Sequence, residues 1–142
     1  MKRIFFACSA LVLFAASVAL ADECAPAKVT NLGFATGHST AVLTWTDPGD
    51  DCNTGTAASY EIRQSSSAIT DTNWQSASIY LTGTPAGGNG TNECKDISGL
   101  TCNTTYYWVI FFFDAAGNRS PISNNPSLAT KSCASSPQVA CP

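Results

Sequence analysis

The chain has 142 residues, with seven Lys and Arg against ten Asp and Glu and a net charge of −3. This sparse, slightly acidic charge argues against a binder of nucleic acid or of an anionic membrane surface. The length is sufficient for one domain with its own hydrophobic core.

The first 21 residues are predicted to form a secretory signal peptide. Lys2 and Arg3 provide a positive start, an apolar stretch follows from 4 to 18, and Ala19-Leu20-Ala21 is a small-x-small cleavage site. The alternative is a membrane anchor, for which the apolar stretch is short. The mature chain would begin at Asp22, which predicts a secreted, extracellular or periplasmic protein that does not span a membrane after cleavage.

Short apolar runs separated by turn formers predict strands along the remaining chain. The predicted strands cover 29–34, 40–46, 58–64, 74–81, 91–97, 106–113 and 123–130. The loop at 47–56 is dense in Asp, Gly and Asn, which favour turns. No helical periodicity of useful length follows the signal, so the sequence predicts an all-β domain.

The strand at 106–113 is the most apolar part of the mature chain. Side chains alternate between the two faces of a strand. The two faces are Tyr106, Trp108, Ile110 and Phe112 on one side, and Tyr107, Val109, Phe111 and Phe113 on the other. If the first set faces the core, the second set forms an apolar row on the outer face, here called the outer stripe.

Seven short strands with turns about every eight to twelve residues predict a Greek-key β-sandwich. Four features of the chain resemble fibronectin type III domains over about 26–130. They are Pro26 with Val29 and Leu32, Trp45 before Asp47-Pro48, Tyr60 with Ile62, and the spacing Leu100-x-x-x-Thr104-x-Tyr106. The turn at 114–118 is similar to that of many bacterial members of this family.

The resemblance implies a seven-stranded, immunoglobulin-like sandwich over 22–130, followed by a polar tail at 131–142. It implies buried structural roles for Trp45, Tyr60, Leu100 and Tyr106. In the corner that precedes the sixth strand, the hydroxyl of the tyrosine is expected to bond to the backbone near Leu100 or Thr101.

Six cysteines remain after the signal peptide, and in an exported chain they imply a disulfide framework with 15 connectivities. In the topology that the resemblance implies, Cys24 and Cys52 lie at one end of the sandwich, and Cys102 and Cys133 at the other. Cys94 and Cys141 would form the third pair, with the tail folded back over a sheet. Pairing of Cys94 with Cys102, and of Cys133 with Cys141, stays open as an alternative.

The residues give little support for catalysis, for a metal site or for a cofactor, and none of the three is predicted. His38 is the only histidine, and no cysteine pair has CxxC spacing. Asp47, Asp50 and Asp51 lie close together but match no calcium-loop pattern. Asp114 is predicted to cap the turn that follows the sixth strand.

The favoured function is a secreted, non-catalytic binding or adhesion module that contacts another protein or a second copy. The proposed contact surface is the outer stripe, because apolar patches on soluble proteins often mark interaction sites. The opposing interpretation is that the tail at 131–142, or the side chains of Glu61 and Arg63, cover the stripe.

The alternative function is an accessory carbohydrate-binding module of the kind associated with secreted glycanases. Trp74 would be its sugar platform, because aromatic faces stack on sugar rings. The competing interpretation gives Trp74 a structural role in covering a sheet edge.

Overall fold

The computed structural model of the chain describes residues 24–134 and 138–142. The predicted signal peptide at 1–21 lies outside the described residues, so its cleavage stays a prediction. Within the described part, no helix is long and apolar enough to cross a membrane.

The described residues form seven strands in two packed sheets. The strands are β1 (Gly33–Thr36), β2 (Ala41–Thr46), β3 (Ser59–Ser65), β4 (Ser78–Gly83), β5 (Asn92–Ile97), β6 (Thr105–Phe113) and β7 (Ser127–Ala129). One sheet has the order β1-β2-β5 and the other β4-β3-β6-β7, and each pairing is antiparallel. The predicted all-β, seven-stranded sandwich is confirmed.

The first strand begins later than the sequence predicts. Val29 and Leu32 are buried but precede β1, and at Leu32 a side chain rather than a neighbouring strand bonds to the backbone. The N–H of Leu32 donates to Oδ1 of Asn124 at 2.8 Å, and Nδ2 of Asn124 donates to the carbonyl of Leu32 at 2.9 Å. The apolar pattern therefore predicted correctly that these residues are buried, but it did not predict where the pairing of β1 with β2 begins.

The fourth strand also begins later, because 74–76 forms a short 3-10 helix and β4 starts at Ser78. The guanidinium of Arg63 is the cause. Its Nη1 donates to the carbonyls of Trp74 at 3.1 Å, Gln75 at 3.3 Å and Ala77 at 3.0 Å. Backbone groups gathered around a buried cation cannot pair with a strand, so Trp74 lies outside β4.

The core between the sheets contains the side chains that the resemblance assigned to it. Trp45, Tyr60, Leu100 and Tyr106 are all buried there. The ring centroids of Trp45 and Tyr60 are 5.4 Å apart, within the range of favourable aromatic contact. At the corner before β6, the N–H of Thr101 donates to the hydroxyl of Tyr106 at 2.9 Å, so the expected bond to the backbone is present.

The structure contains the three predicted disulfides and not the alternative pairing. They are Cys24–Cys52, Cys102–Cys133 and Cys94–Cys141. The end of the tail folds back over the three-stranded sheet. There the hydroxyl of Thr40 donates to Oε1 of Gln138 at 2.7 Å, and the N–H of Cys141 donates to Oδ1 of Asp96 at 2.7 Å.

Candidate functional site

The outer stripe of β6 is not an open surface. Val109 and Phe111 are 0% exposed and form a second hydrophobic cluster with Ile69, Ala77 and Ile122. Tyr107 and Phe113 are half-buried against the same cluster. The prediction of an exposed docking face on these four residues is wrong, because the segments around 69–77 and Ile122 cover it.

Trp74 is part of that cover. Its ring centroid lies 5.1 Å from that of Phe111, and the guanidinium carbons of Arg63 and Arg119 lie over the ring, 4.7 and 4.5 Å from its centroid. Arg119 also lies 4.4 Å from the ring centroid of Phe111. A ring that covers the sheet and is stacked by cations is not a free sugar platform, so the contacts favour the structural role of Trp74 over the carbohydrate hypothesis.

One lateral side of the sandwich is closed by bonds between the two sheets. At this side, where β1 meets β7, the hydroxyl of Thr36 donates to the carbonyl of Ala129 at 3.0 Å. Just beyond the strands, the N–H of Lys131 donates to the carbonyl of Gly37 at 2.9 Å. Neither β1, with four residues, nor β7, with three, offers a long free edge.

The opposite side is formed by β4 and β5, and the two strands differ in character. β5 carries Glu93, Lys95 and Asp96 and is tied to the tail through Cys94. β4 has the sequence SIYLTG, with no charge and no proline, and it is the terminal strand of its sheet. An edge strand with this composition is a template for pairing with another strand. The free side of Ser78–Gly83 is here called the β4 edge.

Apolar side chains are exposed on β4. Ile79 is 53% exposed and Tyr80 36%, and these are two of the three large apolar residues exposed in the described chain. The centroid of the Tyr80 ring lies 5.3 Å from that of Trp108, and its hydroxyl donates to the carbonyl of Ser98 at 2.9 Å. The strand is therefore held in place from inside, while its edge and Ile79 face outward.

A cleft of about 360 Å³ lies on the outer face of the three-stranded sheet, here called the polar cleft. Its lining residues are Asn31, Thr44, Trp45, Thr46, Asn92, Glu93, Cys94 and Pro142. Nδ2 of Asn31 donates to the hydroxyl of Thr46, which donates to Oδ1 of Asn92, each at 2.8 Å. This chain of hydrogen bonds fixes both amides in place.

A buried aspartate, Asp47, and the half-buried Glu93 lie beside the cleft, at the end of the sandwich where 47–56 meets 84–91. Asp47 is 2% exposed, and the indole N–H of Trp45 donates to its Oδ1 at 2.9 Å. Its Oδ2 has no hydrogen-bond partner among the described residues, and the carboxyl of Glu93 acts on it from nearby. Desolvation by burial, assisted by the charge of Glu93, raises the pKa of Asp47 to about 6.

The raised pKa predicts that stability depends on pH. The folded state binds the proton of Asp47 more tightly than the unfolded chain does. The stability that this proton contributes is therefore fully present below the unfolded pKa of 3.8 and is lost as the pH rises through the folded pKa of about 6. Asp47→Asn keeps the acceptor for Trp45 and adds a permanent donor for Glu93. Because the neighbouring loop at 51–56 is exposed and screens the charge, the variant should be more stable than the parent at pH 8 by about 1–2 kcal/mol.

Urea titrations at several pH values measure this effect. The difference in unfolding free energy between the two proteins should shrink as the pH falls from 8 to 5. A parent protein that is less stable at pH 5 than at pH 8, with Asp47→Asn following the same profile, would contradict the assignment.

A second aspartate with a shifted pKa, Asp114, lies in the turn after β6. Asp114 caps its turn, as predicted, because its carboxylate accepts the backbone and side-chain N–H groups of Asn118, each at 2.7 Å. Desolvation opposes the ionised form, but these hydrogen bonds hold the pKa of Asp114 below its usual value. The described residues contain no group of three or more His, Cys, Asp or Glu placed to hold a metal ion.

Comparison with solved structures identifies the fold. The sixth fibronectin type III domain of human fibronectin type III domain containing protein 3 matches with a TM-score of 0.54 and 20% identity, over 81% of this chain and 93% of that one. A human fourth FNIII domain matches with a TM-score of 0.56 and 14% identity, over 89% and 92%. A chicken structure of three consecutive domains, FN1–FN3, matches with a TM-score of 0.55 and 18% identity, over 75% of this chain and 31% of that one.

No protein-family model and no curated protein matches the sequence. The matches to solved structures show that the chain has the fold of a fibronectin type III domain. At these sequence identities the likeness establishes the fold alone. A bacterial origin stays a prediction. Fold does not supply a ligand, so function has to be inferred from the surfaces described above.

Proposed function

We propose that this chain is a secreted, non-catalytic interaction module that associates with a second copy of itself through the β4 edge. The observation that carries the proposal is the contrast between edges. β4 is six residues long, uncharged and exposed, whereas the other edge strands are short, cross-bonded or charged. Proteins normally protect a long edge with charge, proline, a bulge or a covering segment. β4 has no charge and no proline, and its one irregularity is a register shift against β3 between Ile62 and Arg63.

A second copy is the partner that the chemistry of this edge fits. Two identical strands can pair antiparallel about a twofold axis, so that two four-stranded sheets become one continuous sheet. The chain has a net negative charge, yet β4 adds no like charges to such a contact. Ile79 is exposed on β4 and would meet apolar surface of the partner, which adds burial to the backbone hydrogen bonds.

The proposal also includes that the module is secreted and that it does not catalyse a reaction. Three disulfides suit an oxidising compartment and are consistent with an extracellular location, in agreement with the signal-like sequence at 1–21. Asp47 and Asp114, the two acidic residues whose pKa departs from its usual value, contact an indole and a turn and do not face a common reaction centre.

The test is Ile79→Glu, compared with Leu128→Glu, in sedimentation experiments over a range of protein concentrations. The introduced carboxylate would lie opposite Arg63 on β3, so the Ile79→Glu variant should fold, but each copy would bring a negative charge to the shared edge. We expect reversible dimers for the parent and for Leu128→Glu, and monomers for Ile79→Glu. Leu128 is the matched control because it is 44% exposed on the opposite side.

Two results would count against the proposal. One is a parent protein that stays monomeric at every concentration. The other is a dimer that survives Ile79→Glu but dissociates in Leu128→Glu, which would move the contact to the β7 side. Circular dichroism of both variants shows that loss of association is not loss of folding.

A further inference from the structure

We infer that the polar cleft is a binding site for a neutral, hydroxyl-rich ligand, namely a short stretch of an uncharged oligosaccharide. The cleft is independent of the β4 edge, since it lies on the outer face of the other sheet. At about 360 Å³ it falls within the size range of small-ligand sites.

The hydrogen-bonding groups of the cleft are fixed before a ligand arrives. Asn31 is held from two directions, because its Nδ2 donates to the hydroxyl of Thr46 and its Oδ1 accepts the N–H of the same residue at 3.2 Å. Asn92 is held through its Oδ1. Three further polar groups of the lining lie on exposed side chains and can bond to a ligand. They are the second N–H of Asn31, the Nδ2 group of Asn92 and the hydroxyl of Thr44. Donors held in position in this way suit sugar hydroxyls. Because they are already ordered, less conformational entropy is lost on binding.

The charge of the lining favours a neutral ligand. No Lys, Arg or His lines the polar cleft itself, so a sulfated or uronic acid ring bound there would find no cation. Glu93 is the one ionisable residue in the lining, and its carboxylate already accepts the backbone N–H of Ala86. A single carboxylate that already accepts one backbone N–H can still accept a hydrogen bond from a sugar hydroxyl. One carboxylate alone is not enough to bind a cation.

The shape of the surface favours a chain of sugar rings over a single ring. A second cleft of about 280 Å³ shares Asn31 and Thr46 with the first and continues towards the loop end of the sandwich. Its lining adds the amide side chains of Asn53 and Asn89, and also one lysine, Lys28, and the buried Asp47. The two clefts together form a groove with amides along its length.

The tail forms one wall of the polar cleft. Cys94 and Pro142 both line it, and the Cys94–Cys141 disulfide holds this end of the tail against β5. The proline ring and the disulfide are apolar groups on which the C–H face of a sugar can pack, opposite the amides. This arrangement combines the two kinds of contact that a sugar ring offers.

The experiment is an NMR titration of the disulfide-bonded protein with neutral hexasaccharides built from glucose, xylose, mannose or N-acetylglucosamine. Sulfated and uronic acid oligosaccharides form a second set. We expect saturable shifts of the signals from Asn31, Thr44 and Asn92 with at least one neutral sugar. Asn92→Ala should weaken that affinity about tenfold, as expected for one lost hydrogen bond. Gln75→Ala, which removes an exposed amide from the 3-10 helix at 74–76, away from the cleft, should leave the affinity unchanged.

Three outcomes would overturn the inference. They are no saturable shift at the cleft with any neutral sugar, binding that Asn92→Ala leaves intact, and a preference for the charged sugars. Since the β4 edge lies on the other sheet, Ile79→Glu should bind the sugar normally.

Discussion

Phe111→Ala is expected to lower the free energy of unfolding by about 3–5 kcal/mol, the range for large-to-small changes in a packed core. Phe111 is 0% exposed and contacts the Trp74 ring and the Arg119 guanidinium, so truncation leaves a cavity beneath the covering segment. If the outer stripe were an open docking face, the same change would have little effect on an isolated chain. Urea unfolding followed by fluorescence measures the difference.

Leu128→Ala is the matched control for this prediction. Leu128 is 44% exposed on β7, and its truncation should cost less than about 1 kcal/mol. Equal and small losses in the two variants would show that 69–77 does not cover β6 in solution. In that case the outer stripe would again be a candidate interaction surface.

Replacing both cysteines of the Cys102–Cys133 pair with serine is expected to cost about 3–4 kcal/mol, from the unfolded-state entropy that the cross-link removes. The two residues are 31 positions apart, and the closed loop contains all of β6 and β7. Close in sequence to the two cysteines, the hydroxyl of Thr130 donates to the carbonyl of Thr101 at 2.7 Å and accepts the N–H of Thr104 at 2.9 Å.

Non-reducing peptide mapping of the parent protein and urea unfolding of the double variant check this prediction. A mapped peptide that joins Cys102 to Cys94 would contradict the pairing itself. A double variant as stable as the parent would show that hydrogen bonds alone hold the corner to the end of β7. The other two disulfides remain in the variant, so the loss of stability can be assigned to the Cys102–Cys133 cross-link.

Alternation along β6 could be inferred from the sequence because it depends on a local rule. The cysteine pairing was expected from the strand topology that the family resemblance implies. A period of two assigns Trp108 and Phe111 to opposite faces wherever the strand lies. The resemblance carried by Leu100, Thr104 and Tyr106 predicted the corner, where the N–H of Thr101 donates to the hydroxyl of the tyrosine five residues further on.

The cover over the outer stripe could not be inferred in this way. The segment 65–76 is mostly polar and has no apolar period, so nothing local indicates that it packs on a sheet. Its position depends on Arg63, which collects the carbonyls of Trp74, Gln75 and Ala77 from 11 to 14 residues away. Alternation specified that Phe111 faces away from the core, but not which segment lies above it.

The two surfaces proposed here also needed the folded structure. The lack of charge in 78–83 is visible in the sequence, but only the strand order shows that this strand is an edge and that the others are protected. The polar cleft joins Thr46 to Asn31 and to Asn92, which lie 15 and 46 positions from it. No local pattern brings such residues together.

Hydrogen exchange of the β4 amides at low and high protein concentration tests the central claim, that the β4 edge pairs with a second copy. The amides of 78–83 that point away from β3 should exchange quickly in the dilute protein and more slowly as the concentration rises. The amides of 127–129 on β7 should not change. Exchange in β4 that is independent of concentration, or protection that appears on β7 instead, would contradict the account.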